Sequence, residues 1–123
     1  MAAPYISVVV PTLNEEGNIG RLIDGLKEVL SQYKYEIIVV DSHSSDRTVE
    51  IAKGRGAKIL YSPKGKGLAL MNGLKAARGQ IQIAMDADLS HAPIESKLLI
   101  AGIETGYDVC MGSRFIIGGG SYE

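Results

Sequence analysis

Short apolar runs alternate with segments of helical periodicity along nearly the whole chain, and that alternation limits the fold more than any other feature. Tyr5 to Val10 is rich in β-branched residues and reads as a first strand, closed by Pro11 because proline cannot continue a central ladder. Ile19, Leu22, Ile23, Leu26 and Leu30 recur at helical spacing and predict the buried stripe of a helix reaching about Ser31. Tyr35 to Val40 reads as the second strand. A helix through Lys53 follows, with Ser45 or Asp46 as its N-cap and Gly54 and Gly56 as its stop. Lys58 to Tyr61 is a third, short strand, and a helix then ends near Arg78 and Gly79. Ile81 to Met85 is the fourth strand, Pro93 opens a helix to about Gly106, and Tyr107 to Met111 is the fifth strand. Alternation of this kind predicts an α/β fold: an open, mostly parallel, doubly wound sheet with right-handed crossovers and helices on both faces. The 123 residues fit one domain with a real core.

In such a sheet, ligands bind beyond the carboxyl ends of the strands. The corners after strands one, two and four carry Asn14-Glu15, Asp41 to Asp46, and Asp86-Ala87-Asp88, whereas the opposite ends carry blander residues. Parallel strands therefore bring three polar clusters to one edge. Residues two apart in an extended segment face the same side, so the Asp86 and Asp88 carboxylates share a small volume. At about 5 Å and an effective dielectric near 20 they repel by roughly 3 kcal/mol, which a cation between them relieves. Short oxygen ligands suit Mg²⁺ or Mn²⁺, which take one or two carboxylates and complete their shell with water and substrate phosphates. The bland alternative is that one aspartate caps the next helix while the other is solvated.

A nucleoside diphosphate matches this edge. Asp88, helped by Asp86, would hold the cation. Glu15, Asp41 and the Ser42 hydroxyl offer short acceptors for a ribose or a base edge, and Lys66 and Arg114 offer positive charge to phosphate. Structural alternatives stand beside these roles. Glu15 also suits a first-turn helix acid, Asp41 a loop-ordering group, and Lys66 a solvated cation in a glycine loop. His43 and His91 read as loop or capping residues, because no third ligand at zinc spacing accompanies them.

Other chemistries fit worse. Gly65-Lys66-Gly67 lacks the spacing and ending of a P-loop, no GxGxxG follows the first strand, and no GxSxG elbow exists. A signalling receiver domain needs an aspartate at the end of strand three and a lysine after strand five, where Tyr61-Ser62-Pro63 and Gly112-Ser113-Arg114 stand. The net charge of −1 argues against nucleic acid as the main partner. No apolar run approaches the length of a membrane span, and Met1-Ala2-Ala3-Pro4 lacks the basic region of a signal peptide. The single cysteine, Cys110, sits in an apolar context and reads as a small hydrophobe in a reducing, cytoplasmic setting.

Five segments together resemble the family 2 glycosyltransferases of GT-A fold, and within them the dolichyl-phosphate mannose synthase group. They are Val8 to Glu16, Ile37 to Thr48, Gly65-Lys66-Gly67, Met85 to Pro93 (with Asp-Ala-Asp-Leu-Ser-His inside it), and Gly112 to Phe115. They stand in the family's order and span nearly all of the chain. The resemblance implies a Rossmann-like half that binds a nucleotide sugar, GDP-mannose first and UDP-glucose second. The sugar would pass with inversion to a polyprenyl or dolichyl phosphate at a membrane surface, with Mg²⁺ or Mn²⁺ as cofactor. It further implies that Pro11, Leu13, Asn14, Glu15, Val40, Asp41, Ser42, Lys66, Asp86 and Ala87 bind the nucleotide. Asp86, Asp88 and Ser90 would hold the metal, and Asp86, Asp88 and Arg114 would carry the chemistry.

This chain departs from the family at Ser42, where a second aspartate usually follows strand two. Family members also continue well past the Gly118-Gly119-Gly120 run. The expected organisation is a donor-binding core over 1–115 and a glycine-rich tail over 116–123, mobile and opening a further C-terminal portion. A non-catalytic nucleotide-sugar-binding fragment is the alternative. Apolar surface left bare on such a core would favour homo-oligomers.

Overall fold

The computed structural model describes residues 4–88, 109–111 and 115–118. Strand β1 (Ile6–Thr12) leads into helix α1 (Ile19–Val29), then β2 (Tyr35–Asp41), α2 (Thr48–Gly54), β3 (Lys58–Tyr61), α3 (Lys66–Ala76), β4 (Ile81–Ala84), β5 (Val109–Met111) and β6 (Phe115–Gly118). Among the described residues one six-stranded sheet has the order β3-β2-β1-β4-β6-β5. The first four strands in that order are mutually parallel, and β6 runs antiparallel to both of its neighbours.

Alternation along β1 and β2 divides the core between the two faces of the sheet. Val8 and Val10 pair with Ile37 and Val39 and meet the α1 stripe. Ile19, Leu22, Ile23, Leu26 and Leu30 are all fully buried, so the helical spacing in the sequence identified the packed face of α1. On the other face Val9, Ile38 and Val40 lie under α3, which meets them through the small residues Ala69 and Gly73.

Pro11 does not close the first strand but lies within it, opposite Val40. The carbonyls of Tyr5 and Val9 accept hydrogen bonds from Ile81 and Met85 on the β4 side. By the two-residue period Pro11 faces that same side, beyond the last paired residue of β4, so its missing N–H interrupts no ladder. Sequence reading also assigned 116–123 to a tail. Instead Ile116, Ile117 and Gly118 pair with Ile83, Gln82 and Ile81, and the sheet extends past residue 115. The helix expected from Pro93 to Gly106 lies outside the described residues.

At the end of the sheet away from the strand carboxyl ends, Glu36 is nearly fully buried. Ser7 Oγ donates to its Oε2 at 2.5 Å, the Arg78 amide donates to Oε2 at 2.8 Å, and Lys58 Nζ donates to Oε1 at 2.8 Å. The Gly79 amide completes the chain by donating to Ser7 Oγ. Burial alone would raise the carboxyl's pKa, but the hydrogen bonds from Lys58, Ser7 and Arg78, with the Lys58 charge, hold it below the ordinary range. A carboxylate depressed on folding stabilises above its unfolded pKa, and that stability disappears as pH falls through the folded value. Glu36→Gln should therefore cost about 2 kcal/mol at neutral pH, the scale of a hydrogen bond to a charged group. The difference should shrink in acid; urea unfolding at pH 7 and pH 3 measures it, and a cost that stays constant would contradict the role given to the charge.

Candidate functional site

The carboxyl ends of β1, β2 and β4 and the start of α3 enclose a cleft of about 220 Å³. From β1 and its corner come Pro11, Thr12, Leu13 and Glu15. Ser42 comes from just after β2; Gly65, Lys66 and Ala69 come from α3 and its approach, and Asp86, Ala87 and Asp88 follow β4. Three corners that are far apart in the chain thus converge as the parallel register requires.

Hydrogen bonds fix the first two corners to each other. The Ser42 amide donates to the Thr12 carbonyl at 3.0 Å, the Glu15 amide to Thr48 Oγ1 at 2.8 Å, and the Glu16 amide to Asp46 Oδ2 at 3.1 Å. The N-cap position of α2 is Arg47 rather than Ser45 or Asp46; Asp46, one residue earlier, accepts from the Thr48 amide at 2.9 Å. What burial it has would raise its pKa, but the bonds from the Thr48 hydroxyl and from the Thr48 and Glu16 amides hold it below the usual carboxylate range. Asn14 adopts a left-handed φ of 54°, which asparagine tolerates better than most residues. Its Oδ1 accepts from the Ser45 amide and its own amide donates to Ser44 Oγ.

Asp41 belongs to this stitching. It is fully buried, its Oδ1 accepts from Thr12 Oγ1 at 2.7 Å and from Ser44 Oγ at 2.6 Å, and its Oδ2 accepts from the Ser44 amide at 2.7 Å. The loop-ordering alternative for Asp41 is the geometry observed. Val40 is likewise buried, beneath α3. Asn14, Val40 and Asp41 therefore do not line the cleft, whereas Pro11, Leu13, Glu15, Ser42, Lys66, Asp86, Ala87 and Asp88 do. Ser90, His91 and Arg114 lie outside the described residues. His43 stacks on Tyr61 with ring centroids 5.8 Å apart, as a loop residue rather than a member of a ligand cluster.

Thr12, Gly65 and Ala69 line the cleft without having been given a site role from sequence. A signal existed for Gly65 and Ala69. Gly65 precedes α3 with φ 131°, a conformation glycine alone adopts easily, and Ala69 lies three residues beyond Lys66 on the same helical face.

Among the described residues, three carboxylates (Glu15, Asp86 and Asp88) and one ammonium (Lys66) border the cleft. Lys66 Nζ lies 2.6 Å from Asp86 Oδ1. The excess of anionic oxygen suits a divalent cation far better than a bare anion. Among the described residues no three His, Cys, Asp or Glu side chains gather into a complete metal cage. The two carboxylates after β4 match Mg²⁺ or Mn²⁺ when phosphate oxygens and water fill the remaining positions. The donor set therefore fits the expected metal as a shared site.

An open α/β sheet with a polar cleft at its strand carboxyl ends places this chain in the class of α/β proteins that bind their ligands at that edge. Residues 7–123 match the family described as glycosyl transferase family 2, and the chain belongs to that family. It is 40% identical over 120 residues to the dolichol-phosphate mannosyltransferase of Pyrococcus furiosus, an alignment covering 93% of this chain and 34% of that protein. To the undecaprenyl-phosphate 4-deoxy-4-formamido-L-arabinose transferase of Pseudomonas fluorescens it is 34% identical over 115 residues, covering 85% and 34%. Among solved structures, glucosyl-3-phosphoglycerate synthase from Mycobacterium tuberculosis, in complex with Mn²⁺, UDP and glucosyl-3-phosphoglycerate, superposes with a TM-score of 0.74 at 34% identity, covering 86% of this chain and 42% of that one. The fold is GT-A, as the sequence motifs implied. The chain spans about a third of the length of the curated relatives it matches.

Proposed function

We propose that this chain is the donor-binding part of a glycosyltransferase that uses a nucleoside-diphosphate sugar, GDP-mannose first and UDP-glucose second. The acceptor is a polyprenyl or dolichyl phosphate met at a membrane surface, and the sugar is transferred with inversion. The observation that carries the reading is the convergence of Asp86, Ala87 and Asp88 with Pro11 to Glu15, Ser42 and Lys66 around one cleft. The names of the relatives support the lipid-phosphate acceptor, and the Mn²⁺ and UDP complex of the solved neighbour supports a metal and a nucleotide. Among the described residues no helix is long and apolar enough to cross a membrane; the membrane contact proposed here is the one made through the lipid-linked acceptor.

Each group has a task in this reading. Leu13 and Pro11 offer an apolar wall to the base, while Glu15 and Ser42 accept from or donate to ribose hydroxyls and base edges. Asp86 and Asp88 would hold Mg²⁺ or Mn²⁺, which when bound supplies charge stabilisation to the departing diphosphate. Arg114 is assigned to the sugar-phosphate region. A phosphate acceptor is already anionic at neutral pH, so its attack on the anomeric carbon requires no general base. That agrees with a cleft in which Asp86 is paired with Lys66 and the other carboxylates are assigned to binding. A hydroxyl acceptor would require one.

Calorimetric titration of GDP and UDP with Mn²⁺ present tests the donor. Binding in the micromolar range by one nucleotide, and at least tenfold weaker binding by the other, is the expected result. Failure of both to bind would overturn the reading.

A further inference from the structure

We propose that Lys66 is a built-in competitor for the metal position: its ammonium occupies Asp86 until a diphosphate draws it away. The inference rests on the donor-site reading above and concerns the order in which that site fills. Lys66 Nζ and Asp86 Oδ1 are 2.6 Å apart inside the cleft that also holds Asp88. An ammonium at that distance takes a carboxylate oxygen that a divalent cation would use, and it repels the incoming cation besides.

The ammonium is also poorly placed for anything but exchange. Lys66 is the first residue of the 11-residue helix α3, whose first turn contains no acidic residue. A cation at a helix N-terminus opposes the dipole, whereas an anion there is favoured. Asp86 thus offsets a position that suits phosphate. Gly65, at φ 131°, turns the chain so that this residue begins the helix at the cleft.

The contact is weak enough to be released. The Lys66 side chain is 68% exposed and that of Asp86 32% exposed, so water screens the pair. When a diphosphate arrives, Lys66 Nζ moves to its oxygens and Asp86 becomes available to the cation. Nucleotide and metal are then coupled through one side chain, beyond any direct coordination between them. A site of this kind binds free Mg²⁺ or Mn²⁺ weakly and fills more readily when nucleotide and metal arrive together.

Mn²⁺ binding without nucleotide, followed by electron paramagnetic resonance, tests the proposal directly. Lys66→Gln should bind Mn²⁺ roughly tenfold more tightly than the wild type, while Lys66→Arg, which keeps the charge, should stay within about twofold of it. Equal or weaker binding by Lys66→Gln would overturn the proposal, as would tight binding by Lys66→Arg. No detectable Mn²⁺ binding by any of the three proteins would overturn it too. Titration of GDP and UDP against the same samples separates this failure from that of the donor reading. Nucleotide binding together with unchanged Mn²⁺ affinity in Lys66→Gln would retire the competitor and leave the donor site standing.

Discussion

Asp88→Ala should remove most of the metal-dependent stabilisation that a nucleoside diphosphate gives this protein. A ligand at a hundred times its dissociation constant stabilises the native state by about 2.7 kcal/mol. For a chain of this length that corresponds to a rise of roughly 10 °C in Tm. Asp88 lines the cleft beyond Asp86 at the end of β4, and these two carboxylates are the groups that would hold the metal when a diphosphate is bound. With Asp88 replaced, scanning calorimetry should show nearly the same small nucleotide shift with Mn²⁺ as with a chelator. A variant that keeps the full metal-dependent shift would contradict the role given to the residue.

The second large effect is predicted at the seat of α3. A Cβ added at Gly73 would lie 2.3 Å from Val9 Cγ1 and 2.8 Å from Val40 Cγ2. Both valines are fully buried β-branched residues of the sheet, and stiff side chains of that kind have few other rotamers to adopt. Gly73→Ala should therefore lift α3 from the sheet, at a cost of about 2 kcal/mol after the helix-propensity gain of roughly 0.5–1 kcal/mol is subtracted. Because the first turn of α3 carries Lys66 and Ala69 to the cleft, nucleotide affinity should fall as well. Gly67→Ala is the matched control. Among the described residues no atom lies within 4 Å of its added Cβ, so its stability should be unchanged or raised by up to about 1 kcal/mol. Urea midpoints that rank the two variants equally would exclude this packing account.

Local periodicity made much of this architecture legible. The α1 stripe was readable because five apolar residues at helical spacing define one face whatever they pack against. Lys58–Tyr61 was readable because Gly56 and Pro63 bracket a short β-branched and aromatic run. The cleft itself was legible because parallel strands must deliver their polar corners to one edge. β6 was not readable as a strand, since Phe115–Gly118 is only four residues long, runs into glycines, and gains its identity from distant partners on β4. Pro11 was misjudged because a ladder's end on one side cannot be seen from one strand alone. Asp41 was a matter of direction: its neighbour Ser42 reaches the cleft, and Asp41 turns to Thr12 and Ser44 instead. No pattern in sequence announces the Lys66–Asp86 distance, because the two residues meet only through the crossover from α3 to β4.

The position of β6 makes β5 depend on it for a place in the sheet. Val109–Met111 is made first by the ribosome, yet it reaches the sheet only through Phe115–Gly118, which stands between it and β4. The outermost strand is thus held by a segment that follows it in the chain. A nascent chain halted before residue 118 would hold β5 without a neighbour to receive it, and its acidic cleft would sit beside an unfinished border.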